Sequence, residues 1–421
     1  MTFSFSQLNP VLQQALQTLN YSQPTPIQRQ AIPVVLSGND VMAGAQTGTG
    51  KTAAFALPIL DALLQQTPSS DSASQELPQA HVQALILVPT RELAQQVHQS
   101  FEQYAQYSSL KVGLAYGGVS LNPQLEALKQ GVDVLVATPG RLLDFLFKKA
   151  VSLDALNTLV FDEADRMLDM GFMDEIQQIL KRLPKERQTL LFSATFSDEI
   201  FKLSKQLLND PQLIEVDARN TAATTVEQKV YVVDADRKRE LVSHLIGSKN
   251  WHQVLIFVKT KQGADALAAE MCKDGLVTKA IHGDKSQGAR ECVLEEFRSG
   301  DTRVLVATDV AARGIDIPAL NTVINFDLPY IAEDYIHRIG RTGRAGQTGT
   351  AITLMSLGEE YLLEEIEVIL DERLPQQWLE GYEPDLTKEI PENRKNTRTA
   401  QKRRAKQRAH GQSTGKRRRR K

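Results

Sequence analysis

Thr158-Leu159-Val160-Phe161-Asp162-Glu163-Ala164-Asp165 decides the fold of this chain. Its β-branched and apolar start reads as a buried parallel strand. A strand that ends in adjacent carboxylates puts both at the mouth of a sheet, where α/β proteins bind ligands. One carboxylate can hold Mg²⁺ through water while its neighbour orients or deprotonates an attacking water. Alone, Asp162 and Glu163 also suit a helix N-cap or a solvated surface. Their weight comes from upstream. Ala45-Gln46-Thr47-Gly48-Thr49-Gly50-Lys51-Thr52 reads as a phosphate loop between a strand at 40–43 and a helix from Lys51 onward. Such a loop surrounds an anion with backbone N–H groups and a helix N-terminus. Gly48 and Gly50 let the backbone come close. Lys51 is placed for the β- and γ-phosphates, and the Thr52 hydroxyl for Mg²⁺. The strict pattern has Gly where this chain has Ala45. The two segments form both halves of a nucleoside-triphosphate site.

Further out, the rhythm of strand and helix repeats. Runs at 82–88, 132–137, 159–161 and 190–192 read as strands, each followed by turn residues and a helical pattern. Residues 65–79, rich in Ser, Gln and Pro, read as a surface loop. The pattern lapses near Asp217 and restarts, with strands expected at 229–233, 254–258, 303–307 and 322–325. This second unit has no phosphate loop of its own. Helical sequence runs on past Leu357 to about Trp378. The expected fold class is therefore α/β: two tandem parallel-sheet domains with a disordered basic C-terminal tail. The expected boundaries are a first domain at 1–217, a linker at 218–225, a second domain at 226–380 and the tail at 381–421.

The chain has 421 residues, enough for two or three domains, and 42% of them are hydrophobic, as a globular core requires. Cys272 and Cys292 have neither a disulfide framework nor zinc spacing. The N-terminus lacks the basic and apolar regions of a signal peptide, and no apolar run approaches a membrane span. A cytoplasmic protein with no membrane association is expected. The net charge of −2 hides a division: of 49 Lys and Arg, 14 lie between Arg394 and Lys421, where there is no Asp or Glu. The remainder carries 35 basic against 51 acidic residues. A basic tail on an acidic body points to a polyanion, with nucleic acid the first candidate.

The phosphate loop together with Asp162-Glu163-Ala164-Asp165 resembles a DEAD-box ATP-dependent RNA helicase, a family that has Ala at the first loop position. Further motifs agree in order. Pro24-Thr25-Pro26-Ile27-Gln28, with Phe3 and Tyr21 upstream, resembles the adenine-recognition motif. Pro89-Thr90-Arg91-Glu92-Leu93-Ala94, Gly117-Gly118 and Thr138-Pro139-Gly140-Arg141 resemble first-domain RNA contacts, and Ser193-Ala194-Thr195 the coupling motif. Phe257 to Thr260, Gln287 with Arg290, Ala307-Thr308-Asp309 through Asp316, and His337 to Arg344 complete the set. Asn20 stands where the family usually has Gly. Almost no sequence precedes the first motif and the tail is short, which looks bacterial and RhlE-like.

The resemblance implies two RecA-like domains that bind ATP with Mg²⁺, and RNA. Lys51, Glu163, Arg341 and Arg344 are then the catalytic set, with Glu163 as general base and the two arginines as fingers toward the γ-phosphate. Tyr21, Gln28, Gly48, Gly50, Thr52 and Asp316 join Lys51 in holding the nucleotide, and Thr52 and Asp162 hold the metal. Gln28 can read adenine through its amide, or be an ordinary helix residue; Tyr21 can stack on the base or belong to the core. Arg91, Gly118, Thr138, Arg141, Thr260, Gln287, Arg290 and Thr308 are the expected RNA contacts, of the types that hold sugar-phosphate without reading bases. Asp165, Ser193, Thr195 and His337 are the expected coupling residues; Ser193 and Thr195 can instead cap the following helix. Arg338 is open between the ATP site and an RNA patch. The expected function is an RNA-dependent ATPase that unwinds short RNA duplexes or remodels ribonucleoprotein in ribosome assembly or RNA turnover, with single-stranded RNA, short duplexes and ribosomal RNA precursors as partners and a monomer as its form. The alternative is an ATP-gated RNA clamp with little unwinding.

Overall fold

The computed structural model describes residues 3–44, 49–65, 80–196, 198–216, 226–312, 320–343 and 349–388. The expected linker, Gly48, Asp316, Arg344 and nearly all of the loop at 65–79 lie outside them, as does the tail from 389. The described residues fall into two compact units, one ending at Val216 and the other starting at Val226.

The first unit is built on β1 (Val41–Gly44), β2 (Ala84–Leu87), β3 (Val112–Ala115), β4 (Val134–Ala137), β5 (Thr158–Phe161), β6 (Gln188–Ser193) and β7 (Gln212–Glu215). All pair in parallel, in the order β3-β4-β2-β5-β6-β1-β7. Side chains of a strand alternate between faces, and here both faces are covered. Ala84, Ile86, Val134, Val136 and Val160 enter one core, whereas Leu85, Leu87, Leu135, Leu159 and Phe161 enter the other. Burial on both faces is why these strands read as continuous apolar runs.

The second unit repeats the plan. Its strands are β8 (Val226–Val232), β9 (Val254–Val258), β10 (Thr278–Ile281), β11 (Val304–Thr308), β12 (Thr322–Asn325), β13 (Gly349–Met355) and β14 (Gln376–Gln377). Their order, β10-β11-β9-β12-β13-β8-β14, matches the first sheet position for position. Two parallel seven-stranded sheets, each wrapped by helices, are the expected α/β class.

Two details differ from the sequence reading, and a third concerns Asn20. Helix Glu360–Leu370 stops well short of Trp378, because Asp371 turns left-handed at φ 54° and the chain then adds β14 to the sheet edge. Residues 381–388, read as the start of the tail, pack on the second unit: Arg237 donates to the Gly381 carbonyl at 2.8 Å, and Lys388 pairs with Asp234 at 2.7 Å. Asn20 takes the left-handed conformation (φ 59°) after helix Pro10–Thr18, with the Tyr21 N–H closing back on the Leu16 carbonyl. Asn tolerates that conformation better than most residues with a Cβ, so the turn survives the loss of the family's Gly.

Candidate functional site

Because all strands of the first sheet are parallel, their carboxyl ends share one edge. The phosphate loop follows β1, Asp162 and Glu163 follow β5, and Ser193 ends β6. These three strands are neighbours in the sheet. Residues far apart in sequence therefore meet.

Lys51 opens helix Lys51–Gln65 and is buried. Its Nζ has no hydrogen-bond partner among the described residues, and neither has the buried Oδ1 of Asp162. Burial pushes the Asp162 carboxyl up to about 6, with the Lys51 ammonium pulling it down and Glu163 pushing it further up. A buried cation and a buried carboxylate, each with unmet bonding capacity, are costly unless a counter-group arrives. An anion suits Lys51 and a cation suits Asp162. The donor set thus fits a phosphate chain with a hard divalent metal, which Thr52 on the same first helical turn would help to hold.

Gln28 reaches Gly50, directly before Lys51. Its Oε1 accepts from the Thr25 N–H at 2.9 Å, completing a capping box on helix Pro26–Leu36. Its Nε2 donates to the Gly50 carbonyl at 3.1 Å. Gly50 sits at φ 92°, and a Cβ there would stand 2.4 Å from Gln28 Nε2. Only glycine fits that approach. Tyr21 is partly exposed; its hydroxyl bonds that of Tyr104 at 3.1 Å and its ring packs edge-on against the same residue.

The coupling residues divide. Asp165 Oδ2 accepts from the N–H groups of Ala194 and Thr195, both at 3.1 Å, and from the Thr195 hydroxyl at 3.0 Å. This ties the end of β5 to the end of β6. Ser193 was expected to share that role, but its hydroxyl donates to the Thr195 carbonyl at 2.8 Å. It is buried inside the turn and shapes the bond instead of making it.

The other half of the edge belongs to β3, β4 and β2, which carry Gly118, Thr138 and Arg91 beyond their carboxyl ends. Gly118 is left-handed at φ 81°, and a Cβ on it would stand 1.9 Å from the Arg91 guanidinium. Arg141 donates to the Val119 carbonyl at 2.9 Å. Two guanidinium groups thus converge on one glycine turn. Thr138 is the N-cap of helix Pro139–Phe147. In the second unit β10, β11 and β9 stand at the corresponding positions; Thr308 ends β11, and Gln287 and Thr260 lie beyond β10 and β9. Thr260 caps helix Lys261–Lys273, accepting from the Gly263 N–H at 3.0 Å. Gln287 and Arg290 share the first turn of helix Gln287–Ser299 and are both buried. His337 lies on helix Ala332–Ile339, partly exposed.

Arg338 is neither a finger nor a surface patch. It is buried, grips Asp309 through two bonds of 2.6 and 2.8 Å, donates to the Asp327 carbonyl at 2.6 Å and stacks over Phe257. Its sequence neighbours suggested a basic cluster, but its place on the buried face of the helix makes it a tie among β9, β11 and β12. Arg341 is also buried.

The comparisons with known proteins bear on this geometry. The DEAD/DEAH box helicase profile matches residues 25–203, and the helicase conserved C-terminal domain profile matches 237–346. The chain belongs to the DEAD/DEAH box helicase family. It is 42% identical over 370 residues to the ATP-dependent RNA helicase RhlB of Pseudomonas syringae pv. tomato, covering 87% of this chain and 92% of that protein. It is 40% identical over 367 residues to the DEAD-box ATP-dependent RNA helicase CshA of Bacillus subtilis, covering 87% of this chain and 72% of that one. Among solved structures, S. cerevisiae Dbp5 bound to RNA and ADP BeF3 has a TM-score of 0.76 at 31% identity, over 89% of this chain and 95% of that chain. Mss116p bound to single-stranded RNA and AMP-PNP has a TM-score of 0.78 at 28% identity, over 90% and 80%. The two sheets are the two RecA-like domains of a DEAD/DEAH box helicase.

One residue of the site went unread in the sequence. Arg166, directly after the acidic motif, is buried and ion-paired to Glu163. Its i, i+3 spacing from Glu163 was the available signal.

Proposed function

We propose that this DEAD-box protein is an RNA-dependent ATPase that opens short RNA duplexes or remodels ribonucleoprotein. The observation that carries the reading is the division of the first sheet's edge. Lys51 and Asp162, buried without hydrogen-bond partners at Nζ and Oδ1 among the described residues, stand on one half, and the arginine-lined glycine turn on the other. RhlB and CshA carry the name ATP-dependent RNA helicase, and Dbp5 and Mss116p hold RNA with a nucleotide analogue, which supports ATP and RNA as ligands.

In this reading Lys51 binds the β- and γ-phosphates, and Thr52 and Asp162 hold Mg²⁺. Bound there, the metal would offset phosphate charge as it transfers. Gln28 keeps the loop end in place while its amide faces adenine, and Tyr21 lies against the base. Glu163 takes the proton of the attacking water. Asp165, held by Thr195, reports the state of that site to the β6 turn. The second unit supplies Arg341 and Arg344 and, with Asp316, completes the nucleotide contacts. Arg91, Gly118, Thr138 and Arg141 hold RNA sugar-phosphate from the first unit; Thr260, Gln287, Arg290 and Thr308 do so from the second. The proposed helicase domains are 1–217 and 226–380, joined by 218–225, with the tail starting beyond Lys388. Finer still, we place the chain as a bacterial, RhlE-like monomer of the cytoplasm that acts in ribosome assembly or RNA turnover. No described helix is long and apolar enough to cross a membrane.

With catalytic groups divided between two units, hydrolysis should be slow until RNA is bound. The test is phosphate release with and without single-stranded RNA, alongside strand displacement on a short duplex. Strong stimulation with displacement is expected. Equal rates would overturn the divided site, and stimulation without displacement would favour the RNA clamp.

The tail makes a separate prediction. The 14 basic residues between Arg394 and Lys421, a stretch with no acid, should tether RNA to an acidic body. Each phosphate neutralised on a single strand adds about −0.7 to the log–log salt slope, so four engaged charges add about −3. Truncation after Asn393 should weaken RNA binding at low salt and flatten its salt dependence. ATPase at saturating RNA should hold. Parallel slopes of equal affinity for the two chains would rule the tether out.

A further inference from the structure

We infer that Arg166 is a positioning residue for Glu163, a role that rests on the reading of Glu163 as the base. Arg166 Nη1 donates to Glu163 Oε2, and both side chains are almost fully buried, at 2% and 5% exposure. An i, i+3 pair on a helix surface stabilises little. A buried one is different in kind, because desolvation of both ions offsets the attraction. This pair is a poor stability device, since Arg166 Nε and Nη2 are buried with no hydrogen-bond partner among the described residues. A guanidinium kept under those conditions is better explained by what it holds.

What it holds is awkward to hold. Glu163 sits in the left-handed region, at φ 56° and ψ 52°, which is costly for a residue with a Cβ. Asp165 is fixed by its three bonds to the β6 turn. Glu163 gets its anchor from Arg166 one helical turn on. The guanidinium restrains the carboxylate to one direction, so that one oxygen faces the guanidinium and the other stays free for the water proton. A misplacement of about 1 Å in such a group costs on the order of 10²-fold in rate.

The experiment is steady-state ATPase of the full chain at saturating RNA, for Arg166→Met and Arg166→Lys. Arg166→Met should lower kcat about 100-fold, with KM for ATP, and RNA affinity in the presence of a non-hydrolysable ATP analogue, within about twofold of the parent. Arg166→Lys restores a donor to Glu163 and should recover about tenfold of that loss. Placed on Glu163→Gln, Arg166→Met should lower residual turnover no further, because it acts through the group already removed. Thermal melting is followed in parallel. If the Met variant does not fold, the Lys variant decides: a lower kcat at unchanged KM supports positioning, and a normal kcat overturns it. A fully active Arg166→Met beside an inactive Glu163→Gln overturns the inference alone. Normal turnover by Glu163→Gln overturns the base assignment and the inference with it.

Discussion

Glu163→Gln should bind ATP and RNA as the parent does and lose about 10²- to 10⁴-fold in turnover, the scale of a general base. The substitution is nearly isosteric. Gln can still accept from Arg166 Nη1, so the hydrogen bond survives, but the buried guanidinium loses its counter-charge and the first unit should melt at a lower temperature. What disappears is the group that takes the water's proton. The complex on RNA should then outlive that of the parent, because hydrolysis is the step that releases it. Lys51→Ala should fail differently. The Lys51 ammonium has no hydrogen-bond partner among the described residues, so its removal breaks no hydrogen bond there. It takes away the cation meant for the phosphates, and ATP binding itself should go. Equilibrium binding of a fluorescent ATP analogue and the lifetime of the RNA complex separate the two variants. A Glu163→Gln chain with parental turnover would remove the base from Glu163.

The central strands were legible because they are buried on both faces, so Val134–Ala137 or Val254–Val258 carries no polar interruption. The edges were not. Val112–Ala115 alternates partly exposed and buried, and Gln212–Glu215 and Gln376–Gln377 are mostly exposed, so neither pattern nor propensity marks them. At the site, glycines and charged residues announced the loop and the acids, since those chemistries admit few substitutes. Which polar residue answers which was hidden. Ser193 and Thr195 look alike in sequence, yet Thr195 reaches Asp165 and Ser193 turns inward. Arg338 and Arg341 look alike too, and a helix face buries the first against Asp309. Spacing gives a residue's neighbours on its own element; partners on other strands follow from sheet order, which the sequence does not spell out.

Arg344→Ala should keep ATP binding and lose hydrolysis about 10³-fold, the scale of an arginine finger. The argument starts from what the second unit cannot do. In the matching sheet order β8 takes the place of β1, and the helix beyond it, Lys238–Ser248, opens with Lys238 as Lys51 opens its own. Lys51 Nζ has no hydrogen-bond partner among the described residues, but Lys238 is satisfied: its Nζ donates to Glu359 at 2.9 Å and to the Leu354 carbonyl at 3.3 Å. Burial pushes the Glu359 carboxyl up, yet Lys238 and Lys259 hold it down at about 2, so it stays an anion under any working condition. The second unit has thus filled its own counterpart of the phosphate grip with a carboxylate. In the proposed reading its contribution to ATP comes from elsewhere, from the arginines after His337. Arg338 is committed to Asp309, and the family resemblance gives the finger role to Arg341 and Arg344. Arg338→Ala is the control that tells chemistry from architecture. Losing the buried guanidinium from this part-buried pair should lower the melting temperature of the second unit. Arg344→Ala should melt like the parent, bind ATP like the parent, and release phosphate slowly even at saturating RNA. If it hydrolyses ATP normally, the finger assignment fails and the charge at 344 belongs to RNA.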